Sequence, residues 1–155
     1  IAADETLATA LQNCKLPCVL TPHPGEAARL LHSSSADIQA NRAGSLSALV
    51  AWSNQIVVLK GRHTLLGSPS EATRVCNRGN PGLAVGGTGD VLTGLIASLL
   101  AQGIDKNLTP WEAACLGVEV HALAADRLLA KLGGPIGMTP SELILEIRQV
   151  LNDLL

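Results

Sequence analysis

Thr109-Pro110-Trp111-Glu112 and Thr139-Pro140-Ser141-Glu142 are the same punctuation written twice, and they constrain the fold of this chain more than any other feature. In each, the threonine hydroxyl can accept from the N–H three residues on, and the glutamate can reach back to the threonine N–H. A proline fills the first helical position, where its missing N–H is no loss. Two helices are therefore predicted to start at Pro110 and Pro140. The first should run to Leu132 and stop at Gly133 and Gly134; the second should run toward Leu154, with Leu143, Ile147, Val150 and Leu154 on one face. What repeats is capping chemistry, not an internal sequence repeat.

Ahead of these helices, strands and helices alternate. The apolar run 18–20 reads as a short strand that breaks at Pro22 and Pro24, after which a helix starts at about Pro24. The polar stretch 33–37 predicts a further helix running to Trp52, capped near Ser35 or Asp37. "QIVVLKG" reads as a buried strand that stops at Gly61. "HTLLGSPSEATRVCN" predicts two short strands around the turn formers Gly67, Ser68 and Pro69. The class is α/β. A chain of 155 residues with 47% apolar content can bury a core and reads as one domain, or as part of one.

Charge and aromatic content narrow the partners. A net charge of −2 with 15% charged residues gives no basic face, and Trp52 and Trp111 stand without any Phe or Tyr, so nucleic acid is not expected as a partner. The most apolar stretch, 91–101, is interrupted by Thr93, Gly94 and Ser98 and is too short to cross a bilayer. No secretory signal opens the sequence, although its first residue is not Met; no membrane association and a cytoplasmic location are the expectation. Cys14, Cys18, Cys76 and Cys115 lack the spacing of a disulfide framework. Cys14 and Cys18 with His23 and His32 do not match zinc-ligand intervals, so reduced thiols are expected.

The chemistry concentrates in "VGGTGDVLTG". After Asp90 the apolar residues Val91, Leu92, Leu95, Ile96, Leu99 and Leu100 form a helical stripe closed by Gly103, so the glycines sit at a helix N-terminus. The first N–H groups there lack internal partners and the helix dipole is positive, which makes a pocket for an anion. Gly86, Gly87 and Gly89 let the backbone approach a phosphate, and Thr88 can add a hydroxyl donor. Asp90 is either a first-turn carboxylate stabilised by the dipole or a base that takes the proton of a hydroxyl attacking phosphorus. Gly94, Ala97, Ser98 and Ala101 give the helix a small-residue side suited to close packing on a neighbouring helix. The pattern is neither a Walker A loop nor a dinucleotide fingerprint.

Taken with its surroundings, the motif is more specific. "NRGNPGLAVGGTGDVLTGLIASLLAQG" and "LTPHPGEAARLL" closely resemble the ADP- or ATP-dependent NAD(P)H-hydrate dehydratases, a branch of the ribokinase-like superfamily. "VVLKGRHT" and "AACLGVEVHALAADRLLAKLG" resemble that family in the expected order, and the resemblance covers residues 16–150. It implies a ribokinase-like three-layer α/β fold with a central, mostly parallel sheet. It also implies an enzyme that phosphorylates the ring hydroxyl of S-form hydrated NADH or NADPH and eliminates phosphate to restore the coenzyme. The donor that the resemblance implies is ADP or ATP, with Mg2+. Phosphorylation makes chemical sense because hydroxide leaves poorly and phosphate leaves well.

Residue by residue, the resemblance implies that Asp90 is the catalytic base and contacts the hydrate, and that Gly86, Gly87, Thr88 and Gly89 form the anion hole, with Gly89 also at the nucleotide. His23 would lie on the hydrate side, or cap the helix from Pro24. Lys60, Gly61, Arg62, His63 and Thr64 would lie along the nucleotide. Glu26 matches a glutamate that places magnesium through water, and would also serve as the third residue of its own helix. Asn80 would face the phosphates or simply form the Asn-Pro-Gly turn, and His121 would be a packing or surface residue.

Family domains extend further at the N-terminus, so residues 1–155 are expected to be the C-terminal part of such a domain with the N-terminal part missing, and only Asp4 of "IAADETLATAL" matches the preceding family stretch. An exposed sheet edge would then favour a homo-oligomer or pairing with the missing half. Alternative functions are a non-catalytic nucleotide- or phosphate-binding fragment and a ribokinase-like small-molecule kinase.

Overall fold

The computed structural model describes residues 4–103 and 107–154. It divides into two compact units, Ile1–Val75 and Cys76–Leu155, each with its own apolar cluster.

The first unit is α/β. Helix α1 (Glu5–Gln12) is capped by Asp4, whose carboxylate accepts from the Leu7 N–H at 3.1 Å. Strand β1 (Val19–Leu20) precedes α2 (Pro24–Leu30), α3 (Ser35–Ala40) and α4 (Arg42–Ser53), and β2 (Ile56–Leu59) then returns parallel to β1 with Val19 opposite Ile56. Strand β3 (Thr64–Gly67) pairs antiparallel with β2, and β4 (Arg74–Cys76) completes a mixed sheet in the order β1-β2-β3-β4. All four residues of β2 are buried. This fits a continuous apolar run flanked by strands on both edges. Val57, Leu59 and Leu65 pack with Ala27, Ala28, Ile38, Leu46 and Leu49 of the helices.

The predicted helix 33–52 is two helices. Asn41 leaves helical geometry (φ −137°, ψ 68°), and its side chain accepts from the Gly44 N–H at 3.0 Å, so it ends α3 and caps α4. The cap of α3 is Ser34, one residue before the expected Ser35. A side chain that satisfies the start of a new helix offers the backbone an alternative to continuing the old one.

The second unit is helical. A 3-10 turn at Pro81–Leu83 leads to α5 (Thr88–Gly103), followed by α6 (Pro110–Leu132) and α7 (Pro140–Asn152). Both threonine–glutamate capping boxes are formed, and Gly133 adopts the left-handed conformation (φ 72°) that ends α6. Leu143, Ile147 and Val150 are buried against Val120, Ala124, Leu128 and Met138, whereas Leu154 lies past the end of α7 and is 62% exposed. The small-residue side of α5 does not pack as expected: Gly94, Ala97, Ser98 and Ala101 are exposed. The close approach of α5 and α6 is made instead at Gly117, where a Cβ would stand 2.6 Å from Ile96 Cγ1. Close packing needs only one partner without a side chain, and here α6 supplies it.

The capping carboxylates give a pH signature. Hydrogen bonds from Ser34 hold the Asp37 carboxyl below its ordinary value, and those from Thr139 do the same for Glu142. A depressed carboxyl stabilises the fold above its unfolded pKa, and that contribution is lost as pH falls through the folded pKa. Glu142→Gln is therefore expected to melt below wild type at neutral pH, with the gap closing once the solution is more acidic than the carboxylate range. A gap independent of pH in thermal melts would refute this.

Candidate active site

The parallel register of β1 and β2 brings their carboxyl ends side by side, and the ladder continues past them: the Lys60 N–H donates to the Pro22 carbonyl at 2.8 Å. Chain leaving β1 turns into α2, while chain leaving β2 turns back into β3, so residues 23–26 and 60–64 share that end of the sheet. In open α/β sheets, that end is where ligands bind.

His23 caps α2. Its Nδ1 accepts from the N–H groups of Gly25 (3.0 Å) and Glu26 (3.3 Å), and a Glu26 carboxylate oxygen accepts from the His23 N–H at 2.6 Å. With Nδ1 an acceptor, the neutral ring carries its proton on Nε2, which lies 3.4 Å from Glu26 Oε1. Lys60 Nζ stands 3.8 Å from the other carboxylate oxygen, Oε2. The first unit thus gathers His23, Glu26 and Lys60 into one half-exposed cluster. The capping role of His23 and the N3 role of Glu26 are both formed.

The 60–64 turn is held by a residue that sequence reasoning missed. Arg42, the first residue of α4, donates through Nη2 to the Leu59 carbonyl (3.0 Å) and the His63 carbonyl (3.3 Å), and through Nη1 to the Lys60 carbonyl (3.3 Å). Burial holds its guanidinium below the usual value. Gly61 has φ +141°, so the turn favours glycine for its backbone, and a Cβ there would stand 2.8 Å from Arg42 Nη1 and push the guanidinium from its carbonyls. Thr64 donates its hydroxyl to the Gly61 carbonyl at 3.1 Å, while the side chains of Arg62 and His63 are exposed.

In the second unit the glycine junction opens α5 two residues earlier than Asp90. The N–H of Val91 bonds to the Gly87 carbonyl at 3.0 Å and that of Thr88 to the Val85 carbonyl at 3.4 Å. Among the described residues, no carbonyl accepts from the N–H groups of Gly86, Gly87, Gly89 or Asp90. Gly86 and Asp90 are exposed and Gly89 is half-buried, so these donors and the carboxylate border solvent. Gly87 has φ +96°, and a Cβ on it would stand 3.0 Å from Pro140 Cγ.

The Thr88 hydroxyl, expected to add a donor for an anion, is turned into the loop in this structure. Its side chain is buried, with Oγ1 2.7 Å from the Leu83 carbonyl and 2.9 Å from the Val85 carbonyl. Its single proton therefore serves the loop. Asn80 forms the expected turn: its Oδ1 accepts from the Gly82 N–H at 3.0 Å and its Nδ2 donates one proton to Asp126 at 3.1 Å. His121 is buried, with Nε2 3.0 Å from the Thr88 carbonyl.

Among the described residues no cluster of three His, Cys, Asp or Glu side chains could hold a metal. Glu26 offers Oε1 beyond its cap, which suits a magnesium ion reached through water and otherwise held by phosphate oxygens, the usual arrangement for that ion. Cys14 and Cys18 are free thiols with sulfurs 3.9 Å apart; burial, then Cys14, pushes the Cys18 thiol up. Burial likewise pushes the Cys76 thiol up to about 11. No helix among the described residues is long and apolar enough to cross a membrane.

Comparison with known proteins extends the geometry. A family model described as NAD(P)H-hydrate dehydratase matches residues 2–149. The chain is 40% identical over 152 residues to an ADP-dependent (S)-NAD(P)H-hydrate dehydratase of Neisseria meningitidis, covering 98% of this chain and 50% of that one. It is 42% identical over 134 residues to the bifunctional NAD(P)H-hydrate repair enzyme of Escherichia coli, covering 86% of this chain and 25% of the relative. Among solved structures, the ADP/ATP-dependent NAD(P)H-hydrate dehydratase of Bacillus subtilis, co-crystallised with ATP/Mg2+, superposes with a TM-score of 0.81 at 30% identity, covering 90% of this chain and 48% of that one. A ribokinase-like superfamily protein of Enterococcus faecalis superposes with a TM-score of 0.73 at 25% identity, covering 96% of this chain and 49% of that one. The chain thus spans half the length or less of these relatives.

Proposed function

The chain belongs to the NAD(P)H-hydrate dehydratase family, and from that membership we propose that the protein carrying it restores hydrated NADH or NADPH at the expense of ADP or ATP. The observation that carries the reading in this chain is the pairing, at the start of α5, of an exposed Asp90 carboxylate with the unbonded N–H groups of Gly86, Gly87 and Gly89. Asp90 takes the proton of the ring hydroxyl of the S hydrate as that oxygen attacks the terminal phosphorus. The glycine N–H groups and the positive end of α5 stabilise the charge on the transferring group. Phosphate then departs as the C–O bond breaks, the neighbouring ring carbon gives up a proton to solvent, and the ring regains its double bond.

His23, through the Nε2 proton, donates to the hydrate. Lys60, Gly61, Arg62, His63 and Thr64 run along the nucleotide. Thr88 and Asn80 act by shaping the loop. Glu26 reaches Mg2+ through water; the ion, when bound, neutralises charge on the phosphates. The same reading includes a cytoplasmic location and either self-association or pairing with an N-terminal half.

The test uses the longest reading frame that contains these residues, with hydrated NADPH, Mg2+ and ADP or ATP. Recovery of the reduced-nicotinamide absorbance is expected, with phosphate released in equal amount. Nucleotide binding in calorimetry without any recovery would favour a binding protein, and phosphorylation of another small alcohol in its place would favour a kinase.

A further inference from the structure

The segment 79–88, which ends in the glycine junction, is fastened at both ends to one helix. At its start the Asp126 carboxylate of α6 accepts from the Gly79 N–H through one oxygen (3.0 Å) and from Asn80 Nδ2 through the other (3.1 Å). Asn80 passes the constraint on, accepting from the Gly82 N–H at 3.0 Å and so setting the 3-10 turn. The Leu83 and Val85 carbonyls then face Thr88 Oγ1. At the far end the Thr88 carbonyl meets Nε2 of His121, five residues before Asp126 on the same helix. A carbonyl only accepts, so that nitrogen carries a proton. Little slack is left between the posts: Gly79 has φ +96°, and a Cβ on Gly82 would stand 2.9 Å from both Asn80 Oδ1 and Met138 Cε.

We propose that Asp126 and His121 are positioning residues that hold segment 79–88 in the shape in which the Gly86, Gly87 and Gly89 N–H groups stay free for a phosphoryl group. Neither side chain reaches the reacting atoms; both act through the backbone between them. The effect on turnover rests on the dehydratase reading above, while the anchoring does not. A carboxylate is the right group at 126 because both neighbours are donors. Asparagine there would turn an N–H toward one of them and leave a donor facing a donor.

The experiment compares Asp126→Ala, Asp126→Asn, His121→Ala and the double variant Asn80→Asp/Asp126→Asn in the full protein. The double variant restores the pairing with roles exchanged: the new amide at position 126 donates to the new carboxylate at position 80, while each side chain still accepts a backbone N–H proton. Hydrogen exchange of amides in 79–88 is expected to be about tenfold faster or more in the single variants, with α7 unaffected and protection recovered in the double. kcat/KM with hydrated NADPH should fall by about tenfold or more in the single variants at a temperature where all are folded. Unchanged exchange in Asp126→Asn overturns the anchoring. Faster exchange with unaltered kcat/KM overturns the positioning role. A wild type without turnover defeats the dehydratase reading and the turnover effect with it, and exchange still decides the anchoring.

Discussion

Asp90→Asn is expected to lower the recovery of reduced coenzyme by about 10²–10⁴-fold, the usual contribution of a positioned base. Nucleotide affinity should be unchanged. Asparagine keeps the shape of the side chain and leaves the N–H groups of the glycine junction as they are, so the phosphate contacts persist while proton acceptance is lost. The carboxylate lies in the first turn of α5, where a negative charge contributes about 0.3–1 kcal/mol through the helix dipole. A small drop in melting temperature should therefore accompany the large drop in rate. Equal losses in binding and rate would mean that Asp90 orders the junction, and a rate loss below about tenfold would remove it from the role of base.

Leu143→Ala is expected to cost about 2–5 kcal/mol of stability, as for other leucines truncated in a closed core. Leu143 is fully buried and packs among Val120, Leu128, Met138 and Val150, where α7 meets α6. Val120 and Val150 are β-branched and have little reach to refill the space, while Leu128 and Met138 can take up part of it. Urea unfolding followed by helical circular dichroism would give the loss as a lower midpoint at unchanged slope. A cost under about 1 kcal/mol would show that α7 relaxes onto the cavity.

Where the controlling interaction is local, it was legible. Thr109 with Glu112 and Thr139 with Glu142 sit three residues apart, and both boxes form. Glycines before an aspartate and an apolar stripe announce a helix start, and Asp90 is indeed exposed at one. The break at Asn41 was a weaker local signal: with neither proline nor an obvious stop, only Asn41 followed three residues later by Gly44 marked it. Helix α1 was not expected although its signals are local: Asp4 is a capping residue, and Leu7 and Leu11 stand one turn apart.

What the sequence did not reveal depends on distant partners. Arg42 reads as an ordinary helical arginine until the turn 17 to 21 residues later supplies three carbonyls. Asp126 reads as surface charge until Gly79 and Asn80, 47 and 46 residues earlier, come to its oxygens. The inward turn of the Thr88 hydroxyl was hidden for a similar reason. Its acceptors are loop carbonyls whose direction no side-chain pattern encodes.

The ring of Pro140 begins α7 and also forms the wall that a side chain at position 87 would strike. Two stretches of chain more than fifty positions apart are consequently not free to drift independently. Because the Gly87 backbone at φ +96° already disfavours any side chain, trimming Pro140 opens space without opening position 87, and the variation left to the pair lies at 140.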